Sequence, residues 1–159
     1  MKTFARLSIF ETNSSSCHQI VINNDGDYKI SKEISVRLGE YGWDFSVLRC
    51  IDDRLSYIVT ALKCYFNEDE FNTIYGTLKE KLHKFGVETI REPNPVSYSM
   101  DHPDWYIDRI MEILNDDTKL YDFLFNGHSF VVTGNDNGYT SFDAPDNWDM
   151  DDELKKEVW

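Results

Sequence analysis

Asp52-Asp53-Arg54-Leu55-Ser56-Tyr57-Ile58-Val59-Thr60-Ala61-Leu62-Lys63-Cys64-Tyr65-Phe66 is the stretch at which the hydrophobic period of this 159-residue chain changes from two to about 3.6. Leu55, Ile58, Val59, Leu62 and Phe66 fall on one face of a helix, and Asp52 and Asp53 place negative charge where a helix N-terminus favours it. A second helix follows at once. Asn67 reads as its N-cap, with Glu70 three residues on to reach back to the cap amide. Phe71, Ile74, Tyr75, Leu78, Leu82 and Phe85 supply the buried stripe, and Gly86 ends it. So short a link predicts two antiparallel helices.

Towards the N-terminus the period is two. Thr3–Phe10 alternates Phe4, Arg6 and Ser8 against Ala5, Leu7 and Ile9, and Ile20, Val21 and Ile22 are β-branched, so the two runs read as paired strands. Asp25-Gly26 is a turn signal, Tyr28–Ile30 a short strand, and Ile34, Val36 and Leu38 predict a half-buried strand ending at Gly39. Glu40–Phe45 reads as an aromatic, glycine-bearing connection that closes the edge of the core. Towards the C-terminus, Val87–Ile90 returns as a strand before a long loop from Pro93 to Pro103. Asp101 is expected to cap a third helix, with Pro103 in its first turn and Trp105, Tyr106, Ile110, Ile113 and Leu114 as its apolar face. Leu120, Phe123 and Leu124 predict a short fourth helix that stops at Gly127. Ser129–Thr133 and Tyr139–Phe142 then read as a hairpin about the Gly134–Gly138 turn.

Strands, then helices, then strands predict an α+β fold: a single domain over 1–143, with an antiparallel sheet from N- and C-terminal hairpins packed against a central group of helices. Residues 144–159, rich in Asp and Glu, read as an acidic tail or a weakly docked helix. A chain of this length buries roughly 70% of its unfolded surface. Ten Phe, nine Tyr and four Trp supply core volume with rings to spare for a surface.

Sixteen basic against 29 acidic residues give a net charge of −13, which repels a phosphate backbone and argues against direct nucleic-acid binding. Such a surface serves solubility, and it also suits imitation of a nucleic acid in the basic groove of another protein. Cys17, Cys50 and Cys64 are odd in number and lack metal-ligand spacing, so neither a disulfide framework nor a zinc site is signalled, and a cytoplasmic location is expected. No apolar run reaches the roughly 18 residues that a membrane span needs. No Walker lysine, GxGxxG, HExxH or EF-hand pattern is present, and no cofactor or metal is expected.

Chemistry, if any, belongs to Phe10-Glu11-Thr12-Asn13-Ser14-Ser15-Ser16-Cys17-His18, a polar loop between the first two strands. Short hydroxyl and amide side chains compete for nearby backbone groups, which makes the loop ordinary turn chemistry. Its catalytic reading takes Ser14 or Ser16 as nucleophile and His18 as general base. Two positions on a strand span roughly 6.5 to 7 Å, too far for a direct Ser16–His18 hydrogen bond, so a partner such as His102 or Asp101 from the long loop is required. The stretch Phe10–Ser16, followed by His18 and a Val/Ile strand, resembles the N-terminal signature of uncharacterised proteins of tailed bacteriophages and some bacteria, in which the position of Cys17 is more often Ser or Thr. The resemblance implies a phage or prophage origin and carries no agreed activity.

The function expected is that of an acidic, phage-encoded accessory protein that binds a host protein with a basic surface, a defence or nucleic-acid-handling protein being the class of target. Its candidate contact residues are Asp146, Trp148, Asp149, Asp151, Asp152 and Trp159: carboxylates for steering and aromatics for anchoring. The two tryptophans equally suit docking of the tail onto its own domain. The alternative is a small-ligand-binding protein or a hydrolase or transferase using the Ser14–Ser16/His18 loop.

Overall fold

The computed structural model describes residues 4–8, 16–92 and 96–135, the first of these segments and residues 16, 17 and 135 by their backbone. The fold is α+β. Four strands form the main antiparallel sheet: β1 (Phe4–Ser8), β2 (Ser16–Asn23), β5 (Ser46–Leu48) and β8 (Phe130–Asn135), in the order β1-β2-β8-β5. The first two pair as expected, with Phe4 opposite Asn23 and Ser8 opposite Gln19. Beside β2 lies β8, with Val21 opposite Phe130 and His18 opposite Thr133, so the two ends of the described chain meet in one sheet. The expected partner of β8, Tyr139–Phe142, lies outside the described residues, as do residues 144–159.

The period of two along these strands sorts the side chains. Ile20, Ile22, Leu48 and Val131 face the helices and belong to the main core, whereas Val21, Phe130 and Val132 form a second cluster with Phe45 and Val47. The helices are α1 (Ile51–Tyr65), α2 (Glu68–Lys84), α3 (Pro103–Asn115) and α4 (Asp117–Phe125). Leu55, Ile58 and Leu62 of α1 are fully buried, which makes this helix the centre of the core.

The start of α2 is a complete capping box: Asn67 Oδ1 accepts from the Glu70 amide at 3.0 Å, and a Glu70 carboxylate oxygen accepts from the Asn67 amide at 3.3 Å. Asn67→Ala is expected to lower stability by about 1 kcal/mol, measurable as a shift in the urea midpoint. Gly86, with φ near +105°, ends the helix in a conformation that side chains rarely adopt.

Four local expectations are corrected. The strand predicted through Gly39 pairs only over β3 (Glu33–Ser35), which runs parallel to β6 (Thr89–Arg91). Beyond it the extended backbone lies along α1. The amides of Ser35, Arg37 and Gly39 donate to Asp52 Oδ1, Ser56 Oγ and Thr60 Oγ1 at 3.2, 2.9 and 3.2 Å. Two residues of strand advance roughly 6.6 Å and four of helix roughly 6 Å, so alternate amides meet successive turns of the helix. Secondly, Glu40–Phe45 is more than a connection. It contains β4 (Glu40–Tyr41), which pairs in parallel with β7 (Ser99–Met100) inside the predicted Pro93–Pro103 loop, and it leads into the unpredicted β5.

Thirdly, Tyr28 makes a single bridge to Asn126 and Tyr28–Ile30 forms no strand, because Asp27 and Lys29 meet the chain where it turns at Gly127. Finally, Asp101 does not cap α3. Its amide donates to Tyr41 O at 3.0 Å, which ties it to the β4/β7 pair and puts His102, with φ near +49°, at the cap position instead.

One buried cation locks the two halves together. Arg54 of α1 is 2% exposed, and its guanidinium donates to the carbonyls of Leu124 (2.9 Å), Asn126 (2.8 Å) and Ser129. These acceptors are the end of α4, where a helix leaves its last carbonyls without intrahelical donors, and the approach to β8, in which Asn126 O also accepts from the Ser129 amide at 3.2 Å.

Candidate functional site

His18 is the predicted site residue whose surroundings are most fully defined. It sits in β2 beside Thr133, facing α1 and α3, and is 2% exposed. Its Nδ1 lies 2.9 Å from the Tyr57 hydroxyl, and its ring stacks on Tyr106 with centroids 4.3 Å apart and planes 13° from parallel. Tyr57 and Tyr106 come from the apolar faces of α1 and α3, so the helical period that builds the core also builds this clamp.

The clamp extends along an aromatic row. Trp105 meets Tyr106 edge-on at 6.5 Å and stacks on His102 at 3.8 Å, while Tyr41 packs edge-on against Tyr57 at 5.3 Å. His102 Nε2 lies 3.6 Å from Asp101 Oδ1. The row thus brings the two candidate histidines to opposite ends of one Trp-Tyr pair, with His18 inside and His102 exposed at the rim. Ser16 stands opposite Asn135 at the far end of β2. Ser14 lies outside the described residues, together with Asp146, Trp148, Asp149, Asp151, Asp152 and Trp159.

Burial decides what His18 can do. Desolvation of the imidazolium pushes its pKa down from 6.5 to about 3, so the ring is neutral throughout the physiological range. A general base works best when its pKa lies near the operating pH, and an imidazole titrating near 3 gives almost no driving force for deprotonating a serine hydroxyl. Its Nδ1 is engaged by Tyr57, and its buried Nε2 has no hydrogen-bond partner among the described residues. Burial likewise raises the Tyr41 phenol to about 12, with Asp53 and Cys50 adding to the shift. The row is therefore uncharged at neutral pH from His18 to Tyr41.

Among the described residues no three His, Cys, Asp or Glu side chains converge on a point that would hold a metal ion. Nor is any helix among them long and apolar enough to cross a membrane. Tyr57, Tyr106 and Arg54 were not singled out as functional by the sequence, although the spacing carries a signal for the last. Arg54 precedes Ile58 by four positions and shares its buried face, an unusual place for a cation. No protein-family model, no curated protein and no solved structure matches this chain.

Proposed function

We propose that the protein acts by binding another protein through its acidic surface, as a phage-encoded accessory factor directed at a host defence or nucleic-acid-handling protein with a basic face. The observation that carries this reading is the state of His18: a neutral imidazole held between Tyr57 and Tyr106 leaves the hydroxyl-rich loop without the base that hydrolysis or group transfer would need there. The charge distribution supports it. Lys63, Lys79, Lys81 and Lys119 are engaged by acidic partners on the fold itself, whereas Asp104 and Asp108, one turn apart on α3, are exposed without an ion pair among the described residues. Carboxylates presented in this way steer a basic partner and make the complex sensitive to salt.

The test is capture of host proteins on the immobilised chain at low ionic strength, followed by elution with a salt gradient. A partner released by added salt, and bound at least tenfold more weakly by the D104K/D108K variant, is the expected result. Ser16→Ala should leave capture unchanged. Failure to recover any partner at low salt, or loss of the biological effect in Ser16→Ala with the fold intact, would overturn the proposal.

A further inference from the structure

Apart from the His18 row, the described surface contains a cavity in which charge runs against that of the chain. It has a volume of about 350 Å³ and opens at the start of α1, where Lys29, Arg49 and Arg54 line it together with Asp52, above apolar wall supplied by Ile51 and Phe125. In a protein of net charge −13, three cations and one carboxylate share a single concavity. Seven other cations of the described fold, such as Lys32, Arg91 and Arg109, are paired with carboxylates, and Arg37 and Lys84, which are not, lie exposed to water outside the cavity. Among the described residues the three in the cavity have no such partner.

Arg54 makes the strongest demand. Its two terminal nitrogens are spent on neutral backbone carbonyls, and among the described residues its buried Nε has no acceptor and no carboxylate balances the guanidinium. A buried charge that is hydrogen-bonded but not counter-charged is costly, and an anion in the adjoining cavity offsets that cost. Arg49 is held over the Phe130 ring at 5.3 Å, and Lys29 is fixed at its backbone by donation to Phe125 O at 2.9 Å, so the rim cations rise from anchored positions. The Cys50 thiol, pushed up chiefly by burial, adds no negative charge at neutral pH. Asp52 is partly occupied by the Ser35 amide at 3.2 Å. Because Asp52 and Asp53 already load the first turn, attraction in the cavity comes from the three cations and not from the helix dipole.

We infer that this cavity binds a phosphate dianion, either free or carried by a small molecule whose apolar part lies against Ile51 and Phe125. The volume falls at the lower end of small-molecule sites, and the chain's excess of carboxylates repels an extended polyanion that would reach past the cavity. This inference is independent of the protein-binding proposal, since it uses neither the acidic surface nor the His18 row.

Isothermal titration of the full chain with inorganic phosphate and with phenyl phosphate, each against chloride at matched ionic strength, tests it. Saturable binding of at least one is expected. Tighter binding of phenyl phosphate identifies an organic phosphate as the ligand class, and equal or tighter binding of inorganic phosphate identifies the free ion. Arg49→Ala and Lys29→Ala should each weaken binding at least tenfold, while Arg109→Ala, which removes a cation paired elsewhere with Glu112, should leave it unchanged. Urea midpoints establish that each variant is folded. The inference is overturned if neither probe gives saturable heat beyond chloride, or if Arg49→Ala and Lys29→Ala bind as the unmodified chain does. Equal weakening in Arg109→Ala would also overturn it, by reducing the effect to general charge.

Discussion

Arg54→Met is expected to lower the stability of the protein by about 2–4 kcal/mol, because buried carbonyls that lose their donor cost about 1–3 kcal/mol each. Met fills much of the same volume, so the loss isolates the hydrogen bonds and not the packing. Three carbonyls, of Leu124, Asn126 and Ser129, lose their guanidinium donor in a place that water does not reach easily. The Asn126 carbonyl keeps the Ser129 amide at 3.2 Å, so those of Leu124 and Ser129 bear the loss; at about 1–3 kcal/mol for each orphaned buried acceptor, it exceeds what is recovered by no longer burying a charge. Burial lowers the guanidinium pKa to about 10, which leaves it charged at neutral pH, so the contacts being removed are charge-assisted ones. Arg54→Lys should fall between the two, because an ammonium offers its donors from one point and does not reproduce the planar fork. The measurement is urea unfolding followed by circular dichroism, with a lower midpoint at unchanged slope as the expected outcome. A loss below about 1 kcal/mol in Arg54→Met would remove the guanidinium from its place as the link between α1, the end of α4 and the start of β8.

That link also marks how far the sequence alone reaches. Elements specified by neighbours in sequence were legible: the apolar stripe of α1, the Asn67/Glu70 box and the Gly86 stop of α2, and the alternation in β1 and β2. Elements specified by distant partners were not. β5 is three residues long, too short for a period of two to declare itself, and exists because β8 offers it an edge 80 or so positions away. The Ser35–Gly39 segment shows the same limit from the other side. Its alternation was visible, but whether its amides find a strand or the Asp52, Ser56 and Thr60 side chains depends on where α1 lies. The site follows the same rule. His18 could be singled out as unusual beside three serines, whereas its burial is decided by Tyr57 and Tyr106, 39 positions away in one case and on a different helix in the other. A residue type names the chemistry available to it, and the packing around it selects the protonation state in which that chemistry operates.

The protonation state of His18 gives the second large effect, a loss of stability in mild acid. The unfolded chain takes up a proton on this imidazole as the pH falls through 6.5, whereas the native ring, buried between Tyr57 and Tyr106, resists protonation until about 3. Between those values the unfolded state binds more protons than the native one, so the free energy of unfolding rises with pH and falls as acid is added. The stability associated with the neutral ring is therefore fully present above about pH 6.5 and is progressively lost on the way down to 3. One proton corresponds to about 1.4 kcal/mol for each unit of pH, so roughly 3 kcal/mol should disappear between neutrality and pH 4 from this residue alone. Carboxylates that form ion pairs add their own acid sensitivity, which is why the informative quantity is a difference. His18→Gln retains a polar group that can meet Tyr57 but has no proton to gain, and its stability at neutral pH is lower for want of the stack on Tyr106. Measured by urea unfolding at a series of pH values, the gap between the unmodified chain and His18→Gln should narrow by about 3 kcal/mol from neutrality to pH 4. Parallel curves across that range would mean that the imidazole gains its proton as easily in the folded protein as in the unfolded one. His18 would then regain the accessible base character that the protein-binding proposal denies it, and Ser16 would again be the residue to test first for chemistry.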